Sequence, residues 1–286
     1  MQFLYAYDRK WKKFYSKVHA FIDSQVDQAL KETAQDRNNP EDHKEAPESK
    51  IPERLLLLNE MALAIRDPQQ LRHQILNVFL AARDTTSILL GNAMFLLARK
   101  PNVWTDLRNS VLAIGSQPLT YSVIQSLVHF KHDLLEVIRL QGLAGRIFRS
   151  ALRDTVLPVG GGPHGQSPIL LKKDSMIALN VWSLHHDEDI WEEDVNDFKP
   201  ERWVDRQLKS KFVPFFRGPR VCPAQHQVLI QASYVLVRLV QEFERIENRD
   251  PVQEYIEITR MLTESRNGVR IALIPTCPKS SLFRNS

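Results

Sequence analysis

Asp67 and Pro68 open an apolar run that meets no further helix breaker until Pro101. Asp67 is a residue type suited to an N-cap, Pro68 suits the first helical position, and Gln70 can complete a capping box. The spacing predicts one helix about 48 Å long at roughly 1.5 Å per residue, apolar on most sides. A rod of that kind runs through the middle of a large domain, and the other segments must cover it. Its centre is polar, with Arg83, Asp84, Thr85 and Thr86 following Ala81 and Ala82. Arg83 and Asp84 would each cost roughly 2.5–3.5 kcal/mol at mid-bilayer, so the run does not read as a membrane span.

The 286 residues are 43% hydrophobic and 25% charged, enough to bury such a core, which excludes collagen-like, channel-like and wholly disordered chains. The length allows one large domain or two average ones, and a single domain over 1–286 is the expectation. A net charge of +4 is too small an excess to call for nucleic acid, and no nucleic-acid partner is expected. Two cysteines, Cys222 and Cys277, rule out a disulfide framework or a four-cysteine zinc site. Met1 to Tyr7 is apolar, but Asp8, Arg9 and Lys10 follow too soon for a signal peptide.

Elsewhere the pattern is mainly helical with a minor β region. Trp11, Phe14, Tyr15, Val18, Phe21, Ile22 and Val26 give residues 9–30 the spacing of an amphipathic helix, and its lysines read as a solvated face. Residues 31–52 turn charged and proline-containing, the composition of a mobile loop. Helices are predicted over 55–65, 102–114, 121–141 and 223–246. Short strands are predicted from Phe148 to Val181, with Gly160, Gly161 and Gly162 in a hairpin turn, and a closing hairpin over 255–274. Residues 192–219 read as irregular, and 275–286 as a flexible tail. His185 and His186, beside Asp187, Glu188 and Asp189, are expected at a surface turn.

Three places can carry chemistry. Asp84 and Thr85 are either a satisfied buried polar patch or a proton relay beside a cavity, with Ala81 and Ala82 leaving room for a flat ligand. Glu136 and Arg139 are either a surface pair worth a few tenths of a kcal/mol or, if Arg202 also reaches Glu136, a clamp on the segment holding Trp203. In the third, Phe215, Gly218, Arg220 and Cys222 precede an apolar helix whose first position suits Pro223. The helix end and Arg220 favour a thiolate, Gly218 permits a tight turn and Phe215 can shield the sulfur. By itself such a cysteine is inert, a redox nucleophile or a metal ligand. Cys222 with His226 has half of a zinc-site spacing, which Cys277 alone does not complete.

In order and spacing, these three places resemble the cytochrome P450 family of haem-thiolate monooxygenases. Phe215, Gly218, Arg220 and Cys222 fit its Phe-x-x-Gly-x-Arg-x-Cys-x-Gly signature, departing at Ala224. Asp84 and Thr85 resemble its acid and alcohol pair, with Ala82 where glycine is common. Glu136 and Arg139 match its Glu-x-x-Arg motif, with Arg202 as third partner. The run Asp154 to Pro163, the segment His185 to Asp194 and Pro200 to Trp203 are similar to a fungal membrane-bound class of alkane and fatty-acid hydroxylases. The segment after Arg139, Leu140, Gln141 and Gly142, departs from the usual Arg-Leu-Tyr-Pro.

The resemblance implies the C-terminal part of that fold, with the N-terminal part absent. It implies haem b held by Cys222 as axial iron ligand, with Arg149 and Arg220 on its propionates and Phe215, Gly218 and Ala82 lining its site. Asp84 and Thr85 would relay protons, and NADPH would act indirectly through NADPH-cytochrome P450 reductase. The implied reaction is insertion of one oxygen atom from O2 into a C–H bond of an apolar substrate, a fatty acid, an alkane or a secondary metabolite. Arg149 to Val156 and Ile258 to Thr263 would edge the substrate pocket. The full-length form would associate with the cytosolic face of the endoplasmic reticulum membrane; this chain, read without an anchor, is expected in the cytoplasm. The competing reading is a catalytically inactive fragment that holds no stable haem.

Overall fold

The computed structural model describes residues 8–38, 56–205, 211–260 and 262–276. It falls into two compact units, residues up to Arg83 and residues from Asp84 onward. The first unit holds helices α1 (Arg9–Asn38) and α2 (Leu56–Ala64) and the first half of α3 (Pro68–Leu97). Its core is Ile22, Val26 and Ala29 of α1, Leu58 and Ala62 of α2, and Leu71 of α3, at the three- and four-residue spacing of helix faces. As the sequence predicts, Asp67 caps α3, its Oδ1 accepting from the Gln70 amide at 2.8 Å.

Helix α1 runs eight residues further than its apolar stripe, to Asn38, so residues 31–38 of the expected mobile loop are helical. The reason is tertiary. Thr33 is 2% exposed and accepts from Arg66 Nη1 at 3.1 Å. Asn59 Nδ2 donates to Glu32 at 3.1 Å, and Arg72 holds Asp23 through both carboxylate oxygens at 2.9 and 3.0 Å. Residues 39–52 of that loop lie outside the described residues.

The second unit contains the rest of α3, then α4 (Pro101–Leu112), α5 (Tyr121–Ser126), α6 (Val128–Leu140), α7 (Val181–His185), α8 (Glu188–Trp191), α9 (Arg202–Asp205) and α10 (Gln225–Glu242). Leu89, Ala93 and Leu97 of α3 cluster with Trp104, Leu107 and Val111 of α4, Phe130, Leu134 and Val137 of α6, and Ala232, Leu236 and Val240 of α10. Each fully buried leucine, valine or phenylalanine among them stabilises the unit by about 1.5–3 kcal/mol before entropy is counted. The helix predicted over 121–141 is broken at Leu127, which ends α5 and starts α6.

Among the described residues, eight strands pair antiparallel in twos: β1 (Arg146–Ser150) with β4 (Met176–Asn180), β2 (Thr155–Gly161) with β3 (Ser167–Leu171), β5 (Phe243–Asn248) with β8 (Ile271–Pro275), and β6 (Glu257–Thr259) with β7 (Thr263–Ser265). The β2–β3 register shifts between Leu157 and Gly161, where a Cβ on Gly161 would sit 2.9 Å from the Pro168 carbonyl oxygen. Only glycine fits that approach.

Two sequence expectations change at the C-terminal end. The helix predicted to reach 246 stops at Glu242, because Arg108 gathers its last carbonyls. Arg108 Nη1 donates to Val240, to Gln241 at 3.3 Å and to Phe243 at 3.2 Å, while Nη2 reaches Thr276 Oγ1 at 3.0 Å. The chain then extends as β5 and takes β8 as its partner, so the predicted hairpin over 255–274 is a short β6–β7 pair followed by a strand that pairs elsewhere. Pro275 and Thr276 belong to this ordered end, with the Thr276 amide donating to Glu242 at 3.1 Å, and 277–286 lie outside the described residues.

Candidate functional site

Helix α6 brings Glu136 and Arg139 onto one face, three residues apart, and the site grows from there. Their ion pair, at 2.8 Å, is fully buried rather than at the surface. Arg139 Nε donates to Oε2 at 3.0 Å and Nη2 to Oε1 at 2.8 Å, the two-pronged geometry that a guanidinium matches to a carboxylate. Arg202 Nε adds a bond to Oε1 at 3.1 Å, so Glu136 accepts from both arginines. Two further donors join: Trp203 Nε1 at 3.0 Å and the Lys199 amide at 3.3 Å. The carboxylate therefore has five donors, and a buried charge so satisfied is stable where an isolated one is not.

The two arginines also hold backbone. Arg139 Nη1 donates to the His185 carbonyl at 3.0 Å, and Arg202 reaches the carbonyls of Trp191 at 3.1 Å and Asp194 at 2.6 Å. Arg202 pairs with the Asp194 carboxylate at 2.5 Å, Lys199 joins it, and these bonds pull Asp194 down to about 2. The segment 192–203, irregular by sequence, is thus tied to α6 by charge-assisted bonds rather than by regular structure.

His185 departs from its expected surface turn. It ends α7 at 2% exposure, its ring 4.9 Å from that of Phe212 and 6.3 Å from that of Trp191. The Val213 amide donates to His185 Nε2 at 3.2 Å, which requires the imidazole to be unprotonated at that nitrogen. Burial, with His186 and Arg139 nearby, pushes its pKa down to about 4. His186, in the turn that follows, is half-buried and stacks on Trp182 with ring centres 4.2 Å apart. The signal that distinguishes the two was present: His185 ends a turn containing Val181 and Leu184, near Trp191 and Phe198, all apolar.

From Val213 the chain enters the cysteine loop. The Phe216 amide donates to the Val213 carbonyl at 3.1 Å, and the Cys222 amide to the Phe215 carbonyl at 3.0 Å. Phe216 has φ +60° and Gly218 φ +75°, two left-handed residues in three. A phenylalanine at such a φ is strained, so this turn has to be held against relaxation. A Cβ on Gly218 would meet nothing within 4 Å, so backbone conformation alone, not crowding, favours glycine. Arg217, Gly218, Pro219, Arg220 and Val221 are exposed, Phe215 is half-buried, and Cys222 is a free, half-buried thiol. Helix α10 begins at Gln225, so Pro223 stands in the turn before it and not at the first helical position.

The remaining candidates lie on other elements. Asp84 is exposed and Thr85 half-buried on α3, within the second unit, while Ala82, exposed, belongs to the first. Arg149 is half-buried on β1, opposite Ile177, with Nη1 on the Phe148 carbonyl at 2.9 Å. The directly joined residues are therefore Glu136, Arg139 and Arg202, linked through His185 to the segment of Cys222. One further group escaped the sequence reading. Asp133, a turn before Glu136, is 3% exposed, and its Oδ2 has no hydrogen-bond partner among the described residues. Burial pushes it up to about 8, reinforced by Glu201, Asp106 and Glu136.

The family model described as Cytochrome P450 matches residues 2–269. The cytochrome P450 monooxygenase apdE of Emericella nidulans is 37% identical over 263 residues, 92% of this chain and 49% of that protein. The cytochrome P450 monooxygenase iliC of Neonectria sp. is 37% identical over 263 residues, 92% of this chain and 51% of its own. That of Fusarium heterosporum, fsdH, is 38% identical over 222 residues, 77% and 39% respectively. The chain spans about half the length of the curated relatives it matches. Among the described residues, no helix is long and apolar enough to cross a membrane. A family match over nearly all of the sequence leaves one assignment, and the chain belongs to the cytochrome P450 family.

Proposed function

We propose that this chain is the haem-thiolate half of a monooxygenase that inserts one oxygen atom from O2 into a C–H bond of an apolar substrate. The observation that carries the reading is the free thiol of Cys222, half-buried in a loop that leads back to the buried Glu136 cluster. The donor set fits a haem. A thiol is free to ligate iron, the turn beside it is uncrowded at Gly218, and arginines 149 and 220 are accessible to carboxylates.

The chemistry a bound haem b supplies is activation of dioxygen, with electrons from NADPH delivered by a reductase. Within that scheme Cys222 would hold the iron through its thiolate, and the half-buried Phe215 would keep water from the sulfur. Arg149 and Arg220 would neutralise the propionates, and the turn at Gly218, with nothing within 4 Å of a Cβ there, would leave room beside the thiol. Thr85 holds a proton at its Oγ1, which the Asp84 carboxyl replenishes from solvent. Glu136, Arg139 and Arg202 contact no substrate in this scheme and hold the loop in place. Leu152, 89% exposed within the segment proposed to edge the pocket, presents apolar surface to a fatty acid, an alkane or a secondary metabolite. The reductase partner and association with the cytosolic face of the endoplasmic reticulum membrane belong to the full-length form.

A second reading is a fragment that keeps the scaffold without holding haem. The test is the absorption spectrum of the purified chain, reconstituted with haem, reduced and saturated with carbon monoxide. A red-shifted Soret band, lost in Cys222→Ala, supports the monooxygenase reading. No bound haem supports the fragment.

A further inference from the structure

We infer that His185 is a positioning residue: its neutral imidazole latches the cysteine loop to the Glu136 cluster by accepting the Val213 amide. The residue lies 37 positions before Cys222 and touches neither that thiol nor any group assigned to substrate. Its place follows from four bonds in sequence. Arg139 Nη1 holds the His185 carbonyl at 3.0 Å, and the ring nitrogen Nε2 receives the Val213 amide at 3.2 Å. The Val213 carbonyl receives the Phe216 amide at 3.1 Å, and the Phe215 carbonyl receives the Cys222 amide at 3.0 Å. The same histidine is thus gripped through its backbone by the charged cluster and grips the loop through its side chain.

The loop needs such a hold. Phe216 and Gly218 are left-handed, residues 217–221 are exposed, and little else in that stretch resists relaxation. Packing fixes the ring itself. Phe212 lies against it at 4.9 Å and Trp191 at 6.3 Å, while Trp203 closes on Phe212 at 4.6 Å. An imidazole held edge and face has one orientation in which to present its lone pair.

A protonated ring has no lone pair at Nε2, so the latch exists only in the neutral state. The charged and titratable groups around it are Arg139 from α6, itself neutralised by Glu136, and His186 beside it on α7. Phe212, Val213 and Trp191 add no charge. Arg139, His186 and burial all oppose protonation, which holds the latch closed at neutral pH. A histidine whose folded pKa lies at about 4, below its free value of 6.5, contributes fully above 6.5. That contribution is lost as pH falls from 6.5 toward 4.

Amide hydrogen exchange across residues 212–222 of the whole 286-residue chain tests this, comparing wild type with His185→Phe, which keeps the bulk, and His185→Gln, which restores an acceptor. At neutral pH the expected result is exchange at Val213 about tenfold faster in His185→Phe, with amides of α6 unchanged and His185→Gln within about threefold of wild type. In wild type, after correction for intrinsic rates, Val213 protection should fall by up to about tenfold per pH unit below 6.5. Equal exchange in wild type and His185→Phe, or equal acceleration in both variants, would overturn the latch. If His185→Phe does not fold, the wild-type pH profile decides, and a flat profile between pH 6.5 and 4 overturns the proposal.

The latch gains its catalytic meaning from the reading of Cys222 as iron ligand, and the two fail separately. A chain that takes up no haem yet shows this exchange pattern keeps the latch and loses the monooxygenase. A chain with the thiolate spectrum whose Val213 exchange ignores His185 does the reverse.

Discussion

Glu136 and Cys222 stand at the two ends of one line of contacts and are built in opposite ways. Glu136 is 0% exposed, held by five donors on a regular helix, with every lone-pair direction used. Cys222 sits half-exposed after a run of solvent-facing residues, in a loop with two left-handed turns and few bonds. The first region is over-determined and contacts no ligand in the proposed scheme. The second is under-held and carries the group that does the chemistry. A reactive thiol must remain reachable, so its own surroundings cannot fix it, and the precision has to be supplied from a buried site elsewhere. The Glu136 cluster is that site, and its arginines also donate to the backbone carbonyls of His185, Trp191 and Asp194, in segments that lead to the loop.

If this contrast holds, substitutions in the two regions should differ in kind. The largest effect is expected for Glu136→Ala, which leaves the buried Arg139 without its carboxylate and Arg202 with only that of Asp194; urea denaturation should show a loss of about 3–5 kcal/mol, or no cooperative folding. A loss under about 1 kcal/mol would break the comparison, since the cluster would not then be holding anything.

Asp133 sharpens it from the other side, as a buried carboxyl on the same helix with one oxygen unsatisfied. Asp133→Leu should stabilise the chain by about 1–3 kcal/mol at neutral pH. The pH sign is distinctive. The folded carboxyl titrates at about 8 and the free one at 3.8, so the folded state binds the extra proton between them. Stability from this group is therefore complete below pH 3.8 and is lost as pH rises toward 8, levelling beyond it. Thermal melts of the two proteins from pH 4 to 8 should diverge as pH rises; parallel curves would mean that Asp133 finds a partner.

In the loop, Gly218→Ala forces a Cβ into a left-handed turn and should cost about 1–2 kcal/mol, read by the same urea titration, although no neighbour crowds the site. Smallest of all, Cys222→Ala should change folding stability by less than about 0.5 kcal/mol while removing the thiolate signature of the haem-loaded chain. A large destabilisation by Cys222→Ala would show the thiol to be a packing residue, and the division between holding and reacting would fall with it.

Several parts of this arrangement are readable in the amino-acid string. Asp67 and Pro68 announce the start of α3, and the apolar spacing of residues 89–97, 104–111 and 130–137 marks the faces that do meet in the core. The Glu136, Arg139 and Arg202 set is legible as a motif, though its burial is not, since three residues apart on a helix is equally the spacing of a surface pair. Trp203 is visible only as an aromatic beside an arginine; that its indole donates to Glu136 depends on where α9 docks. His185 stands beside acidic neighbours whose solubility suggests a surface, and only the apolar Val181 and Leu184 of its own turn point the other way. The residues that bury it, Phe212 and Trp191, lie 27 and 6 positions away. The helix ending at Glu242 was equally illegible, because the group that stops it, Arg108, is more than a hundred residues earlier.

What the sequence by itself determined is local and periodic: where helices start, which faces are apolar, where glycine or proline must turn the chain, and which residue types could do chemistry. Those properties depend on neighbours within a few positions, which a linear reading contains. Only the tertiary structure decided which polar residues are buried, who satisfies them, and how the loop of Cys222 is tied to α6. Desolvation and hydrogen bonding are set by what comes close in space, and here groups that meet, Arg108 with Gln241 and His185 with Val213, are far apart in a sequence that carries no mark of the encounter.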